Sequence, residues 1–173
     1  MIVASIDLGS RIGWSLGPIE AVRPAFGSHQ LPATGDDIGL LGYRFRDWLR
    51  ELIGRLGIDG KIVYEAPVLV PGNAMVTLRK LYGLGMVLEM TCRDMSVDCC
   101  EIHLMTMKNY WAGKGNATKQ DMMGAALAYG IEVQGHDEPD ALAARFTMID
   151  AEYPHIAARF PWAMGPLAIA SCR

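Results

Sequence analysis

Near the start of the chain, short apolar stretches alternate with turn-forming residues, a pattern typical of β-strands. Residues 2–6 form a mostly apolar stretch that ends at Asp7, directly before a turn containing glycine. Residues 12–16 alternate around Trp14, and a third strand is predicted within residues 22–30, which prolines flank. Because the first connection is tight, we expect the second strand to return antiparallel to the first.

Helical spacing dominates the middle of the chain. Across residues 36–57, large apolar side chains recur every three or four positions, and arginines occupy much of the remaining surface. This pattern predicts an amphipathic helix, which we expect Gly57 and Gly60 to end. A short strand at residues 61–64 follows, and the apolar spacing then predicts a second long helix over residues 74–94.

The remaining elements continue this alternation of strands and helices. Residues 97–102 are predicted to form a fifth strand. Thr118 and Asp121 make a capping pair for a helix over residues 118–129, and Asp137 opens the last helix. Three strands, a helix, a strand, a helix, a strand and further helices predict an α/β fold with a five-stranded mixed sheet and helices on both of its faces.

The composition indicates one globular domain. The chain has 173 residues, of which 51% are apolar and 20% charged, which allows a core of ordinary size and is too apolar for a disordered chain. Four cysteines without a paired framework argue against a disulfide scaffold. The sequence contains no evident membrane-spanning helix or signal peptide, so we expect a cytoplasmic protein without a membrane partner.

Charge is segregated along the chain rather than spread evenly. The net charge is −3, whereas a protein that binds nucleic acid by bulk electrostatics alone is normally basic. However, residues 103–119 contain three lysines and no acid, and residues 137–140 contain three acids in four positions. A nuclease that uses metal ions needs such a local concentration of carboxylates, so the segregation indicates a site.

Four carboxylates are candidates for that site. Asp7 and Glu65 each end an apolar strand, and Asp137 and Asp140 lie three positions apart in the first turn of the last helix. Taken singly, each has an ordinary explanation, as a turn residue, a solvated strand end or a helix cap. Together they can converge at one edge of the sheet, where they would repel one another unless a divalent cation neutralised them. Oxygen ligands without histidine or thiolate favour Mg²⁺ or Mn²⁺, and two such ions about 4 Å apart can activate water and stabilise the leaving oxygen of a phosphodiester.

Four motifs in this order resemble those of the RuvC-type Holliday junction resolvases: IDLGSR at residues 6–11, YEAP at 64–67, GKGNATK at 113–119 and DEPDALA at 137–143. The resemblance covers residues 1–150 and implies an RNase H-like fold whose first three strands are antiparallel. It also implies a Mg²⁺-dependent homodimer, with two ions per active site and Mn²⁺ as a substitute, that makes paired symmetric nicks across a four-way DNA junction. The compact chain suits a bacteriophage or prophage member of this endodeoxyribonuclease family, acting in a bacterial cell or a phage-infected host.

The resemblance assigns roles to the acids and to two lysines. Lys108 and Lys119 match the basic residues near the catalytic centre of the family, where an ammonium would stabilise the negative charge that a phosphodiester gains in its transition state. Lys119 also lies in the first turn of its predicted helix, where backbone N–H groups favour a phosphate. The catalytic and metal-binding acids that match by motif are Asp7, Glu65, Asp137 and Asp140.

Further residues are candidate DNA contacts. After the strand-end glutamate the family often has an aromatic side chain for base stacking, whereas this chain has an aliphatic stretch at residues 68–70. The GKG sequence at residues 113–115 is not a phosphate-binding P-loop, because the upstream glycine and the following Ser or Thr are missing, so we expect no nucleotide cofactor. The candidate DNA contacts are Arg11, Leu69, Arg79, Lys80, Lys108, Lys114 and Lys119.

Two other functions stay open. A related RNase H-like nuclease could use the same acids on flaps, forks or RNA–DNA hybrids, and a junction-binding protein could lack cleavage, although carboxylates that face DNA phosphates do not help binding. Actin-like ATPases share the Asp-Leu-Gly opening but need two related domains, which 173 residues cannot hold. We expect a nuclease domain at residues 1–152 and an irregular tail at residues 153–173 that packs on the domain or on a partner subunit.

Overall fold

The strands and helices follow the predicted order along the chain. The computed structural model describes residues 1–57, 59–68 and 75–162. None of the helices in these ranges is both long and apolar enough to cross a lipid bilayer. The strands are β1 (Ile2–Asp7), β2 (Arg11–Pro18), β3 (Ala25–Gln30), β4 (Lys61–Glu65) and β5 (Asp98–Ile102). The helices are α1 (Ile38–Ile53), α2 (Met75–Asp94), α3 (Leu104–Ala112), α4 (Lys119–Ala128), α5 (Glu138–Glu152) and α6 (Pro154–Ala157).

The five strands form one mixed sheet in the order β3-β2-β1-β4-β5. β2 is antiparallel to both β1 and β3, whereas β4 is parallel to both β1 and β5. Short connections suffice for the antiparallel pairs, while each parallel pair needs a long crossover, which α1 and α2 provide. The predicted mixed sheet, with its first three strands antiparallel, is confirmed.

The parallel register brings the ends of β1 and β4 together. Ile6 is the partner of Tyr64, so Asp7 and Glu65 follow at two neighbouring strand ends. Side chains alternate between the two faces of a strand, so Asp7 lies on the same face of β1 as Val3. Val3 belongs to the core beneath α5, and Asp7 therefore lies at the edge of the sheet on the α5 side.

Each face of the sheet has its own apolar core. On one face, α1 and α2 pack side chains such as Phe45 and Leu88 against β1 and β4. On the other face, α5 lies against β1 and β2, and α3 adds Trp111. Residues 141–146 of α5 have no exposed surface, so this helix is the most enclosed element described. The position of α5 is consequently set by close packing along its length.

A buried arginine fastens α5 to the sheet. The Arg145 guanidinium has no exposed surface and donates hydrogen bonds to the backbone carbonyls of Val3, at 2.7 Å, Gly17, at 3.2 Å, and Pro18. Burial lowers the pKa of Arg145 to about 10. The three carbonyls lie at the start of β1 and the end of β2, so the anchor is at the opposite end of these strands from Asp7.

Helices α1 and α3 differ from the pattern predicted for residues 1–152. α1 ends at Ile53, before the expected stop at Gly57 and Gly60, and Gly57 instead adopts a left-handed φ of 75° in the turn that follows. The sequence pattern does not predict α3, because only Met107 and Trp111 among its residues are buried and its apolar spacing is weak. The sparse burial of α3 gives no periodic signal, whereas around α1 the buried apolar spacing continues through Leu56, beyond the end of the helix.

The start of α4 agrees with the predicted cap. The Thr118 hydroxyl accepts a hydrogen bond from the Asp121 backbone N–H, and the Asp121 carboxylate accepts one from the Thr118 backbone N–H at 2.7 Å. These reciprocal bonds form a capping box, which satisfies two of the free N–H groups at the helix start. The Thr118 backbone N–H and hydroxyl both donate hydrogen bonds to the Asp121 carboxylate, and together with the nearby Lys114 they lower the pKa of Asp121 to about 2.

The first part of the predicted tail belongs to the core. It contains α6, and Phe160 and Trp162 beyond that helix are buried in the same apolar cluster as Phe146 of α5. The core on this face therefore extends past residue 152. The rest of the tail, residues 163–173, lies outside the described part of the chain.

Candidate active site

The four candidate acids line one cavity at the edge of the sheet. The cavity has a volume of about 300 Å³ and lies where β1 and β4 end and α5 begins. α3 and α4 close its other sides with basic and apolar side chains. Its charged lining residues are Asp7, Arg11, Glu65, Lys108, Lys119, Asp137 and Asp140.

Asp137 is not acting as a helix cap. It occupies the N-cap position of α5, but its side chain makes no capping hydrogen bond. Its two carboxylate oxygens instead face cations: Oδ2 lies 3.4 Å from Arg11 Nε, and Oδ1 lies 4.0 Å from Lys119 Nζ. Asp137 is thus held by charge pairing inside the cavity and not by capping of α5.

Burial and crowding raise the pKa of three of the acids. The pKa of Asp7 is raised well above its usual value, mainly because the group is buried and then because Glu65, Asp140 and Asp137 repel its negative charge. Burial, followed by repulsion from Asp140, raises the pKa of Glu65 to about 7. Burial likewise raises the pKa of Asp140 to about 6.

Two lysines partly offset this repulsion. Lys108 and Lys119 lower the pKa of both Glu65 and Asp140, because their positive charges favour the ionised form of each carboxyl group. Lys108 lies on α3, and its Nζ donates a hydrogen bond to the Ala117 carbonyl at 2.9 Å, which holds the side chain beside the start of α4. The cavity is therefore an acid cluster with basic groups along one wall.

The donor set fits a divalent cation in its chemistry. All four acids offer hard oxygen ligands, which Mg²⁺ and Mn²⁺ prefer. Asp140 Oδ1 is buried and has no hydrogen-bond partner within the described part of the chain, although such oxygens normally have one. A cation in the cavity would satisfy this oxygen and neutralise the repelling charges.

The arrangement is not a ready-made metal cage. Within residues 1–57, 59–68 and 75–162, no three acidic, imidazole or thiol groups are placed so that they could hold one ion together. The carboxylates stay apart because they repel one another and because Asp137 pairs with Arg11 and Lys119 instead. Carboxylates in such a site have to draw together when a cation arrives.

Other predicted site residues lie outside the cavity lining. Lys114 pairs with Asp121 at 3.0 Å. Arg79 and Lys80 lie on α2, where Lys80 Nζ donates a hydrogen bond to the Gly35 carbonyl at 3.3 Å. The predicted contact Leu69 falls outside the described residues.

The sequence does not indicate the apolar wall of the cavity. Leu104 at the start of α3 and Met122 on α4 line it beside the acids. Leu104 lies two residues after β5, whose last residue, Ile102, is the partner of Glu65, so the end of β5 places it at this edge of the sheet. Arg11 has a second contact that its motif does not suggest, since its Nη2 donates a hydrogen bond to the Ser28 hydroxyl of β3 at 2.8 Å.

Comparison with solved structures identifies the architecture. No protein-family model and no curated protein matches the chain. The structure of RuvC from Thermus thermophilus superposes with a TM-score of 0.66 at 19% identity, covering 89% of this chain and 97% of that one. The same organism's RuvC in complex with a Holliday junction substrate gives a TM-score of 0.69 at 18% identity, covering 90% and 96%.

The chain has the fold of RuvC. The predicted RNase H-like architecture is thereby confirmed over most of the molecule. At this level of identity the similarity to RuvC concerns the fold, so the chemistry has to be argued from the cavity itself.

Proposed function

We propose that the protein is a metal-dependent endodeoxyribonuclease that resolves four-way DNA junctions by paired symmetric nicks. The observation that carries the proposal is the cavity in which Asp7, Glu65, Asp137 and Asp140 converge from three separate elements of a RuvC fold. A purely structural role would not place so many carboxylates together, because their repulsion opposes folding.

The acids have a direct role in this chemistry. Asp7, Glu65, Asp137 and Asp140 would hold Mg²⁺, with Mn²⁺ as a substitute and two ions per active site. When bound, the ions supply Lewis-acid activation of water and stabilisation of the leaving oxygen. The raised pKa values of Glu65, about 7, and Asp140, about 6, mean that ion binding must displace protons near neutral pH, so affinity for the ion should rise with pH.

The basic wall suits a scissile phosphate. Lys108 and Lys119 lie beside the acids and can stabilise the charge that develops on the phosphoryl oxygens. Lys119 is the first residue of α4, so free backbone N–H groups of the helix start lie near the same place. Arg11, whose side chain is half exposed, can leave Asp137 and bind a DNA phosphate once a metal ion neutralises that carboxylate.

A second copy of the chain would supply the second nick. Seven large apolar residues are exposed on α1 and α2, which border a groove of about 390 Å³ lined mainly by apolar atoms. Two symmetric incisions need two active sites related by a two-fold axis, so we assign this surface to a homodimer interface. The exposed apolar residues are Leu40, Tyr43, Met75, Val76, Tyr82, Met86 and Met90.

The remaining predicted DNA contacts belong to this proposal as well. Lys114 lies close to the basic wall, and its ion pair with Asp121 is half exposed, so a phosphate can compete for it. Arg79 and Lys80 of α2 and Leu69 before that helix are proposed to contact the arms of the junction away from the cleavage site.

A cleavage assay with three substrates tests the function. The protein is incubated with Mg²⁺ and a mobile four-way DNA junction, a replication fork or an RNA–DNA hybrid, and the nicks are mapped. We expect paired symmetric nicks confined to the junction. Cleavage of the RNA strand or single nicks at the fork would instead assign another RNase H-like activity, and binding of the junction without any nick would indicate a non-cleaving protein.

A further inference from the structure

Gly13 lies where α5 comes closest to the sheet. In the register of β1 and β2, Gly13 is the partner of Asp7. A Cβ atom at position 13 would lie 2.0 Å from the carbonyl oxygen of Asp137 and 2.5 Å from its carbonyl carbon. Both distances are far below a normal non-bonded contact, and the obstructing atoms are backbone. Any side chain at position 13 would therefore force the strand and the helix apart.

Most of α5 cannot follow such a displacement. Residues 141–146 have no exposed surface, and Arg145 fixes this part of the helix to the carbonyls of Val3 and Pro18. The movement would consequently fall on the first turn of α5. That turn carries Asp137 and Asp140.

The constraint is specific to position 13 within β2. Gly17 lies on the same face of the same strand, four residues further on. The nearest atoms to a Cβ at Gly17 are Pro24 Cβ, at 3.3 Å, and Pro24 Cα, at 3.4 Å, so Pro24 has to move by only a few tenths of an ångström, and none of the three nearest atoms belongs to α5. Two glycines of one strand thus differ in whether a methyl group would disturb α5.

We propose that Gly13 is a positioning residue for the carboxylate cluster. Its missing side chain lets the start of α5 lie against β2, which sets how far Asp137 and Asp140 are from Asp7. The inference rests on the proposed function, in which these acids hold the metal ions. Gly13 itself offers no group to metal or DNA, so it acts only through the separation of the acids.

A pair of glycine variants tests the proposal. Gly13→Ala should retain cooperative unfolding and bind the junction within about 3-fold of the wild type, because the DNA-binding surface is unchanged. We expect its single-turnover cleavage rate to fall about 100-fold, as misplacement by roughly 1 Å does at reacting groups. Its dissociation constant for Mn²⁺, measured by calorimetry without DNA, should rise about 10-fold, as is common when the support of a metal ligand is lost.

Gly17→Ala is the matched control, and it should stay close to the wild type in all of these measurements. A Gly13→Ala protein that binds Mn²⁺ and cleaves within about 3-fold of the wild type would overturn the proposal. So would a Gly17→Ala protein with the same losses as Gly13→Ala, since the effect would then be general to β2.

If Gly13→Ala fails to fold, the substitution can be tested in a protein that also carries Asp7→Asn. Asp7→Asn removes a buried carboxyl group whose ionisation the folded protein opposes, so the double variant Asp7→Asn/Gly13→Ala starts from a more stable protein. Crystal structures of Asp7→Asn and of the double variant should differ by a shift of about 1 Å of Asp137 away from residue 7, the amount needed to restore a normal contact. An unchanged position of Asp137 would overturn the proposal.

The two proposals fail in different ways. If the wild-type protein cuts no DNA, the proposed function is wrong, while the Mn²⁺ affinities and the crystallographic comparison still decide the role of Gly13. If the wild-type protein cuts junctions and Gly13→Ala cuts them equally well, only the role of Gly13 is wrong.

Discussion

Asp7, Glu65 and Asp140 all hold their protons to higher pH than ordinary carboxyl groups. Burial is the first cause in each case, and repulsion within the cluster adds to it. Lys108 and Lys119 offset only part of the effect on Glu65 and Asp140. The acid cluster therefore works against the stability of the metal-free protein, and a divalent cation that binds only the folded state would reverse this.

Stability of the metal-free protein should decrease as the pH rises through the acid cluster's titration. The folded-state pKa values of Asp140, about 6, and Glu65, about 7, lie above their ordinary values of 3.8 and 4.5. Between the ordinary and the raised pKa of each group, the folded state thus binds more protons than the unfolded state. Raising the pH through this interval therefore lowers the free energy of unfolding. We expect the melting temperature in EDTA to fall from pH 5 to pH 8 and to change less in Mg²⁺. A melting temperature that rises from pH 5 to pH 8 would contradict the raised pKa values of these two acids.

Replacement of a single acid should separate catalysis from binding. Asp7→Asn keeps the size of the side chain and removes one charge from the cluster, so cleavage should fall at least about 1000-fold while junction binding stays equal or improves. The same change should raise the melting temperature in EDTA by a few degrees, since about 1 kcal/mol corresponds to roughly 2 to 4 °C for a chain of this size.

The matched control is Asp59→Asn. Asp59 is exposed and lies just before the start of β4, at the opposite end of that strand from Glu65. We expect this variant to cleave and melt as the wild type does. Normal cleavage by Asp7→Asn would exclude Asp7 from the reaction.

At the scale of elements, α5 brings the second pair of acids to the strand ends. Its middle is enclosed by the core and anchored by Arg145, and its first turn approaches β2 at Gly13. α3 and α4 then supply the two lysines. The site thus depends on helices that pack on one face of the sheet, while α1 and α2 on the other face are free to serve another purpose.

Loss of the Arg145 anchor should destabilise the whole domain. Arg145→Met keeps much of the side-chain volume but leaves the buried carbonyls of Val3 and Pro18 without these donors, which should cost about 2 to 4 kcal/mol in the free energy of unfolding. Urea denaturation measures this cost. Arg50→Met, at an exposed position of α1, should change it by less than about 0.5 kcal/mol. Equal stability of the two variants would show that Arg145 does not hold α5.

The sequence predicts the strands and long helices well, because each buries a regular stripe of apolar side chains. It does not predict α3, whose two buried residues give no clear period. It extends α1 too far, because Gly57 is typical of a helix end although it lies in the turn that follows α1. The missing helix matters for the site, since α3 carries Lys108. The resemblance to the RuvC-type resolvases implied that Lys108 lies near the acids, but only tertiary packing explains how it gets there.

For the four acids as well, the sequence predicts part of the arrangement and misses the rest. Their positions at strand ends and in a helix start are visible in the sequence, and so is their ability to converge. The raised pKa values and the pairing of Asp137 with Arg11 are not, because they depend on burial and on distances between elements remote in the chain. The close approach at Gly13 is hidden for the same reason.

Viewed as a whole, the molecule places its two distinctive surfaces on different sides of one sheet. The acid cavity lies on the α5 side, whereas the exposed apolar residues concentrate on α1 and α2. An interface through α1 and α2 would leave both cavities of a dimer accessible to DNA. This arrangement is what a junction with two symmetric cleavage sites requires.

The oligomeric state should follow the α1–α2 groove. Light scattering should give twice the chain mass of 18.9 kDa for the wild type, and Met86→Asp, which places a charge in the groove, should give a monomer. Leu127→Asp, at an exposed apolar position of α4, should remain a dimer. A wild-type protein that is monomeric both free and on a junction would contradict paired nicking by a dimer.

Anomalous diffraction from crystals grown with Mn²⁺ tests the central claim most directly, because it locates the ions without relying on activity. We expect two peaks about 4 Å apart in the cavity, in contact with Asp7, Glu65 and the start of α5, with Arg11 released from Asp137. Peaks elsewhere on the protein, with this cavity empty at saturating Mn²⁺, would contradict a metal-dependent active site formed by these four acids.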